Sequence, residues 1–205
     1  MIRFFYTPGS CSLASHIALT EAGADYEGVR VDTAAGEQTR PEYLAINPKG
    51  RVPALVTDRG VLTENMAILA WVADAYPAAK LLPTDPWERA QAQAINAYFA
   101  TTVHVNHAHG RRFYRWADEE SSFADMRRKV PETMAAAFQI IEDELLKGPW
   151  VLGEAYSVCD GYLYTMTEWL IRDGVPSERF PKVHAHYERM RARPAVSKVL
   201  AELAA

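Results

Sequence analysis

An α/β unit followed by an all-helical one is the fold class that this sequence predicts, and three observations predict it. Up to residue 76, short β-prone runs alternate with stretches of helical periodicity. Residues 77–86 carry Pro77, Pro83 and Pro86 and no sustained periodicity, which reads as a linker. Beyond Pro86 no convincing strand occurs. The predicted division is therefore 1–76, a linker at 77–86, and an all-helical part at 87–205. With 205 residues, 49% of them hydrophobic, the chain has enough apolar material for packed cores without disulfides.

Each element follows from local chemistry. Residues 1–6 are an apolar, aromatic run of strand length, ended by the breakers Thr7, Pro8 and Gly9. Leu13, Ile17 and Ala18 recur at helical spacing and predict a helix over 12–22, closed by Gly23. Strands follow at 26–31, at 54–57 and at 61–62, the last two joined by the turn Asp58-Arg59-Gly60. A helix over 65–75 is stopped by Pro77. This is a βαβ unit followed by a hairpin and a helix. In the second part, one long helix is predicted from 87 to about 116 and another over 123–147, with shorter helices from Val158, Pro181 and Pro194. Ser157-Val158-Cys159-Asp160 has the layout of a capping box, in which the serine accepts from an N–H three residues on and the acid reaches back.

Charge and cysteine content exclude several classes. A net charge of −4 argues against a surface built to neutralise phosphates, and Arg111, Arg112 and Arg115 read as a solvated helix face. No nucleic-acid partner is expected. The first residues hold neither a long apolar signal region nor a membrane-spanning run, so no membrane partner or export is expected. Cys11 and Cys159 are too few for a disulfide framework and fit a reducing compartment, which predicts a cytoplasmic protein.

The chemistry centres on Cys11. It stands where the first strand gives way to a helix, and the N–H groups and dipole at a helix N-terminus favour an anion, here a thiolate. The same residue also fits a buried, inert packing thiol. Asn47-Pro48-Lys49-Gly50-Arg51-Val52-Pro53 leads into the third strand, and Pro53 stands where a cis peptide would leave the Val52 main chain free to hold an extended peptide. An ordinary turn proline fits equally. Glu64-Asn65 opens the next helix, whose N–H groups suit a carboxylate while Glu64 can accept from an ammonium group. An amino-acid head group carries both. Glu64 also suits the dipole of its own helix.

With these residues in view, the chain resembles the cytosolic glutathione transferases over nearly its whole length, most closely the bacterial beta class. The resemblance rests on the sequence at 6–16, Tyr-Thr-Pro-Gly-Ser-Cys-Ser-Leu-Ala-Ser-His, on residues 45–55, on Leu62-Thr63-Glu64 and on the Ser157 to Asp160 box. It implies a thioredoxin-like domain followed by a helical-bundle domain, a cytoplasmic homodimer, and a detoxifying transferase that uses glutathione as co-substrate and no metal. It implies that Cys11 contacts the glutathione sulfur and can form a mixed disulfide with it, that the Val52 backbone beside a cis Pro53 pairs with the cysteinyl group, and that Glu64 and Asn65 hold the γ-glutamyl group. It further implies that His104 projects toward the sulfur as a second catalytic residue. Tyr6 and Ser10 are placed in the glutathione site, and with Ser12 they are rival hydroxyl activators of the thiol.

Some positions depart from the family pattern. Asn65 stands where a small residue is common, Val105 where a lysine often follows the helix histidine, Ala97 where an asparagine is usual, and Thr33-Ala34-Ala35-Gly36 where a lysine is often found. His104, His107 and His109 make a poor metal set, because a third ligand five residues from the first points away on a continuous helix. Phe113, Tyr114, Trp116 and Trp169 are the expected wall of a pocket for small apolar electrophiles, and could equally be core. Two rivals keep the fold: a glutathione-dependent thiol–disulfide oxidoreductase using Cys11, and a low-turnover carrier of apolar ligands.

Overall fold

A computed structural model describes residues 1–204. Two compact units emerge, one made of residues 1–84 with 191–205, the other of residues 85–190.

In the first unit, β1 (Ile2–Tyr6), α1 (Ser12–Glu21) and β2 (Tyr26–Arg30) are followed by a short helix α2 (Pro41–Leu44). Then come β3 (Ala54–Thr57), β4 (Gly60–Thr63) and α3 (Asn65–Ala75). The strands form a mixed sheet in the order β2-β1-β3-β4, with β1 parallel to β2 and antiparallel to β3, and β3 antiparallel to β4. This is the predicted βαβ-plus-hairpin order, a thioredoxin-like arrangement. Successive strand residues face opposite sides. Phe4, opposite Leu55, meets the α1 side through His16, and Phe5, opposite Ala54, packs with Val31 and Tyr43 of α2 on the other. Helix α2 was not predicted from the sequence, since four residues are too few to show a period.

Helix α9 (Pro194–Ala204) belongs to this first unit. The sequence division left residues 191–205 with the helical part, yet the Arg193 guanidinium donates to both Glu21 carboxylate oxygens at 2.6 and 2.8 Å, and His16 Nε2 lies 3.3 Å from Glu202. The interacting positions are too distant in sequence for periodicity to reveal them.

The second unit holds α4 (Pro86–Tyr98), α5 (His104–Arg111), α6 (Glu120–Ile140), α7 (Val158–Arg172) and α8 (Pro181–Arg191), the last closing at the boundary. The long helix expected from 87 to 116 is interrupted. Residues 99–103 wind as a π-helical turn and the helix ends at Arg111. Thr101, Thr102 and Val103 are β-branched, and Thr101 Oγ1 donates to the Ala97 carbonyl at 2.8 Å, so side-chain crowding and a competing hydroxyl both weaken the regular ladder there. Likewise α6 runs over 120–140 and closes with a π-helical turn at 141–145.

Helix α7 is the centre of this unit and is buried on nearly every side. Its capping box is formed: Ser157 Oγ accepts from the Cys159 N–H at 3.2 Å and Asp160 accepts from the Ser157 N–H at 2.7 Å. Asp160 also accepts from the Val151 N–H and lies 3.0 Å from His186 Nε2. Among the described residues no helix is long and apolar enough to cross a membrane.

Candidate active site

Strand β1 ends at Tyr6, and residues 7–10 turn the chain into α1. Thr7 Oγ1 donates to the Val31 carbonyl at 2.7 Å, which ties the turn to the end of β2. Ser10 Oγ donates to the Thr7 carbonyl at 2.8 Å and lies 2.7 Å from Ser12 Oγ, which accepts from the Thr7 N–H at 3.2 Å. Both serine hydroxyls are thus used in building the turn. The Tyr6 ring lies against Phe4 and His16, with centroids 6.0 and 5.0 Å away.

Cys11 takes the N-cap position of α1, with φ −61° and ψ −15° and no side-chain cap. The residue is only 8% exposed, and its thiol donates to the Val52 carbonyl at 3.5 Å. The sequence predicts open N–H groups at this helix end. Instead, the N–H groups of Ser12, Leu13 and Ala14 point to Ser10 Oγ, the Ser10 carbonyl and the Cys11 carbonyl, each at 3.2 Å. The aligned peptide dipoles of α1 remain as the positive field at the thiol.

Val52 is set by the turn before it. Asn47 is buried, donates through Nδ2 to the Arg51 carbonyl and accepts from the Lys49 N–H, while Tyr43 OH donates to the same Arg51 carbonyl at 2.7 Å. Burial pushes the Tyr43 phenol up to about 12, so it stays a donor. Gly50 has φ +60°, and a Cβ there would lie 3.2 Å from the Gln38 carbonyl oxygen, so a side chain is disfavoured twice. The Val52–Pro53 peptide is cis. Pro53 leads into β3 at Ala54, which leaves Val52 beyond the end of the β1–β3 ladder.

Glu64 stands at the N-cap of α3 with φ +71°, a conformation uncommon outside glycine. It makes no cap to its own helix. Its carboxylate meets Lys49 Nζ, which also donates to Thr63 Oγ1 at 2.7 Å, and the Glu64 side chain remains 65% exposed. Asn65 turns the other way. At 6% exposure it donates from Nδ2 to the Cys11 carbonyl at 2.7 Å and accepts from Ser15 Oγ at 2.5 Å. Cys11, Val52, Pro53, Glu64 and Asn65 therefore meet at one end of the sheet, where α1 and α3 begin. Nothing in their spacing signals the Lys49–Glu64 or Ser15–Asn65 contacts.

In the helical unit, His104 opens α5, its ring against the edge of Trp169 at 4.8 Å between centroids. Trp169 is 1% exposed and stacks on His107 at 4.2 Å, so it underlies His104 as core. His107 Nδ1 lies 2.7 Å from Asp173, while His109 Nδ1 lies 2.7 Å from the Val105 carbonyl and its ring stacks on Trp116. His104 and His107 thus share Trp169, whereas His109 packs on Trp116. Tyr114 and Trp116 are exposed, and the Phe113 ring is covered by Phe123 and by the Arg127 guanidinium 4.0 Å from its centroid. Cys159 donates to the Ala92 carbonyl at 3.5 Å, and burial pushes its thiol up to about 12, so it stays protonated.

Comparison with known proteins bears on the family and the fold. Residues 2–74 match the family model of the glutathione S-transferase N-terminal domain, and residues 105–194 match that of the C-terminal domain. The chain is 33% identical over 202 residues to glutathione S-transferase GstA of Escherichia coli O157:H7, with 97% of each chain covered. A glutathione transferase homologue from Sulfitobacter, solved with bound glutathione, is 48% identical, with 98% of each chain covered and a TM-score of 0.96. A bacterial beta class glutathione S-transferase from Sphingomonas chungbukensis is 32% identical over the same coverage, with a TM-score of 0.85. By fold, by both domain models and by these relatives, the chain belongs to the glutathione S-transferase family.

Proposed function

We propose that this family member is a transferase that binds glutathione around Cys11 and directs its thiol at small apolar electrophiles. The observation that carries the reading is the convergence of Cys11, Val52 and the α3 N-terminus. Val52 stands beyond the strand ladder to pair with the cysteinyl group, the Asn65 N–H at the start of α3 suits the γ-glutamyl carboxylate, and Glu64 suits its ammonium. The relative from Sulfitobacter holds glutathione on a chain of the same fold. Tyr6, Ser10 and Pro53 complete the shape of this site.

Chemically, the glutathione thiol loses its proton to solvent, the sulfur forms a bond to the electrophilic carbon, and a leaving group such as halide departs with the electron pair of its bond. The dipole of α1 favours the thiolate, and Cys11 and His104 are the residues assigned to the sulfur. Phe113, Tyr114 and Trp116 are proposed to face the electrophile, and Trp169, buried beneath His104, supports that side as core. A homodimer in the cytoplasm completes the reading. The test is calorimetric titration with glutathione, followed by assay with an aromatic halide and with a glutathione mixed disulfide. Binding with turnover of the halide supports it. Binding with turnover of the disulfide alone would convert it to an oxidoreductase, and absence of glutathione binding would overturn it.

A further inference from the structure

We infer that Asn65, through Ser15, is a positioning residue for Cys11. This rests on the assignment of Cys11 to the sulfur and concerns how that cysteine is held. The Asn65 side chain is nearly inaccessible, and its two ends are engaged inside the protein: Nδ2 donates to the Cys11 carbonyl at 2.7 Å and Oδ1 accepts from Ser15 Oγ at 2.5 Å. Ser15 is fully buried on α1, one turn beyond Cys11. The three residues make a bridge between the first turns of α1 and α3, closed by side-chain bonds across 54 and 50 positions of sequence.

What the bridge holds is the carbonyl of the residue that carries the thiol. Cys11 makes no side-chain cap, and its carbonyl also accepts from the Ala14 N–H, at 3.2 Å. The 2.7 Å bond from Asn65 ties the Cys11 peptide plane to α3, and with it the direction of the Cα–Cβ bond toward the Val52 carbonyl. A buried donor and acceptor left without partners are costly, so the amide cannot turn outward without losing both bonds. The Asn65 main-chain N–H stays at the α3 N-terminus, whereas its side chain serves Cys11. A small residue at position 65 cannot span this gap.

The test uses the full-length protein free of ligand, so that its outcome does not depend on glutathione binding. Alkylation of Cys11 by iodoacetamide, read on the Cys11 peptide by mass, is compared for the parent, Asn65→Ala and Ser15→Ala, alongside amide exchange of α1 and of β1 and β3. Loss of one net hydrogen bond should loosen the Cys11 turn and speed alkylation about three- to ten-fold in both variants, with faster exchange confined to the first turn of α1. In turnover, kcat should fall while glutathione affinity changes less than about two-fold, the split expected of an interaction that orients rather than binds. Alkylation unchanged in either variant would overturn the inference. So would faster exchange throughout β1 and β3, which marks general destabilisation.

Discussion

Glu64 is the residue whose removal tests head-group recognition most directly. Its carboxylate is directed outward, away from its own helix, and already holds a cation in Lys49. Being 65% exposed, it gains little from that surface pair, and the proposed role of Glu64 is to accept from a ligand ammonium group. A hydrogen bond to a charged group contributes about 1.5–3 kcal/mol, so Glu64→Ala should weaken glutathione binding about ten-fold or more. A calorimetric change under about three-fold would refute the assignment. The two cysteines should separate as clearly. Cys11 is predicted to carry a glutathione-sized mass increment that dithiothreitol removes, and Cys11→Ala should abolish it. Cys159, fully buried and held protonated, should stay unmodified in the native protein.

Among the elements, α7 and α9 depend on particular side chains at their ends or faces. Ser157→Ala removes one arm of the α7 capping box and should cost about 1 kcal/mol in denaturant unfolding. Asp160→Ala should cost more, about 3–5 kcal/mol, because it strips a fully buried carboxylate that serves the Ser157 and Val151 N–H groups and His186 together. Helix α9 meets α1 at a buried histidine. The His16 ring lies among Phe4, Tyr6 and Tyr26, with Glu202 and Lys198 of α9 facing it. Burial outweighs the attraction of Glu202 and holds His16 below the usual histidine range. The unfolded chain therefore takes up this proton first as pH falls below about 6.5, and stability present above that value is lost as pH drops through the lower folded value. Unfolding midpoints measured between about pH 7.5 and 5 should fall less steeply for His16→Gln than for the parent. An unchanged slope would remove His16 from the account.

For the whole molecule, the proposed homodimer is the testable statement. It is drawn from the family and from the apolar content of the helices beyond Trp87, a residue that itself stands 72% exposed. Sedimentation at micromolar concentration should give a species of twice the 22.9 kDa chain mass, and a monomer alone would contradict it. The course of the chain also matters at this scale. It builds the thioredoxin-like unit, then the helical one, and returns to the first with α9.

The sequence by itself determined the order and nature of most elements, since breakers such as Pro8, Gly23 and Pro77 and the apolar periods between them act over a few residues. It also determined that Cys11 stands at the N-terminus of α1, that Ser157 and Asp160 box α7, and which family the motifs resemble. Only the tertiary structure decided where α9 goes, that Asn65 faces inward to Cys11, that Lys49 meets Glu64, and that the first-turn N–H groups of α1 are already occupied. Those contacts join residues that are far apart in the chain, such as Glu21 and Arg193, 172 positions apart. Local sterics and periodicity carry no information about such pairs, which exist only once the helices and sheet have packed.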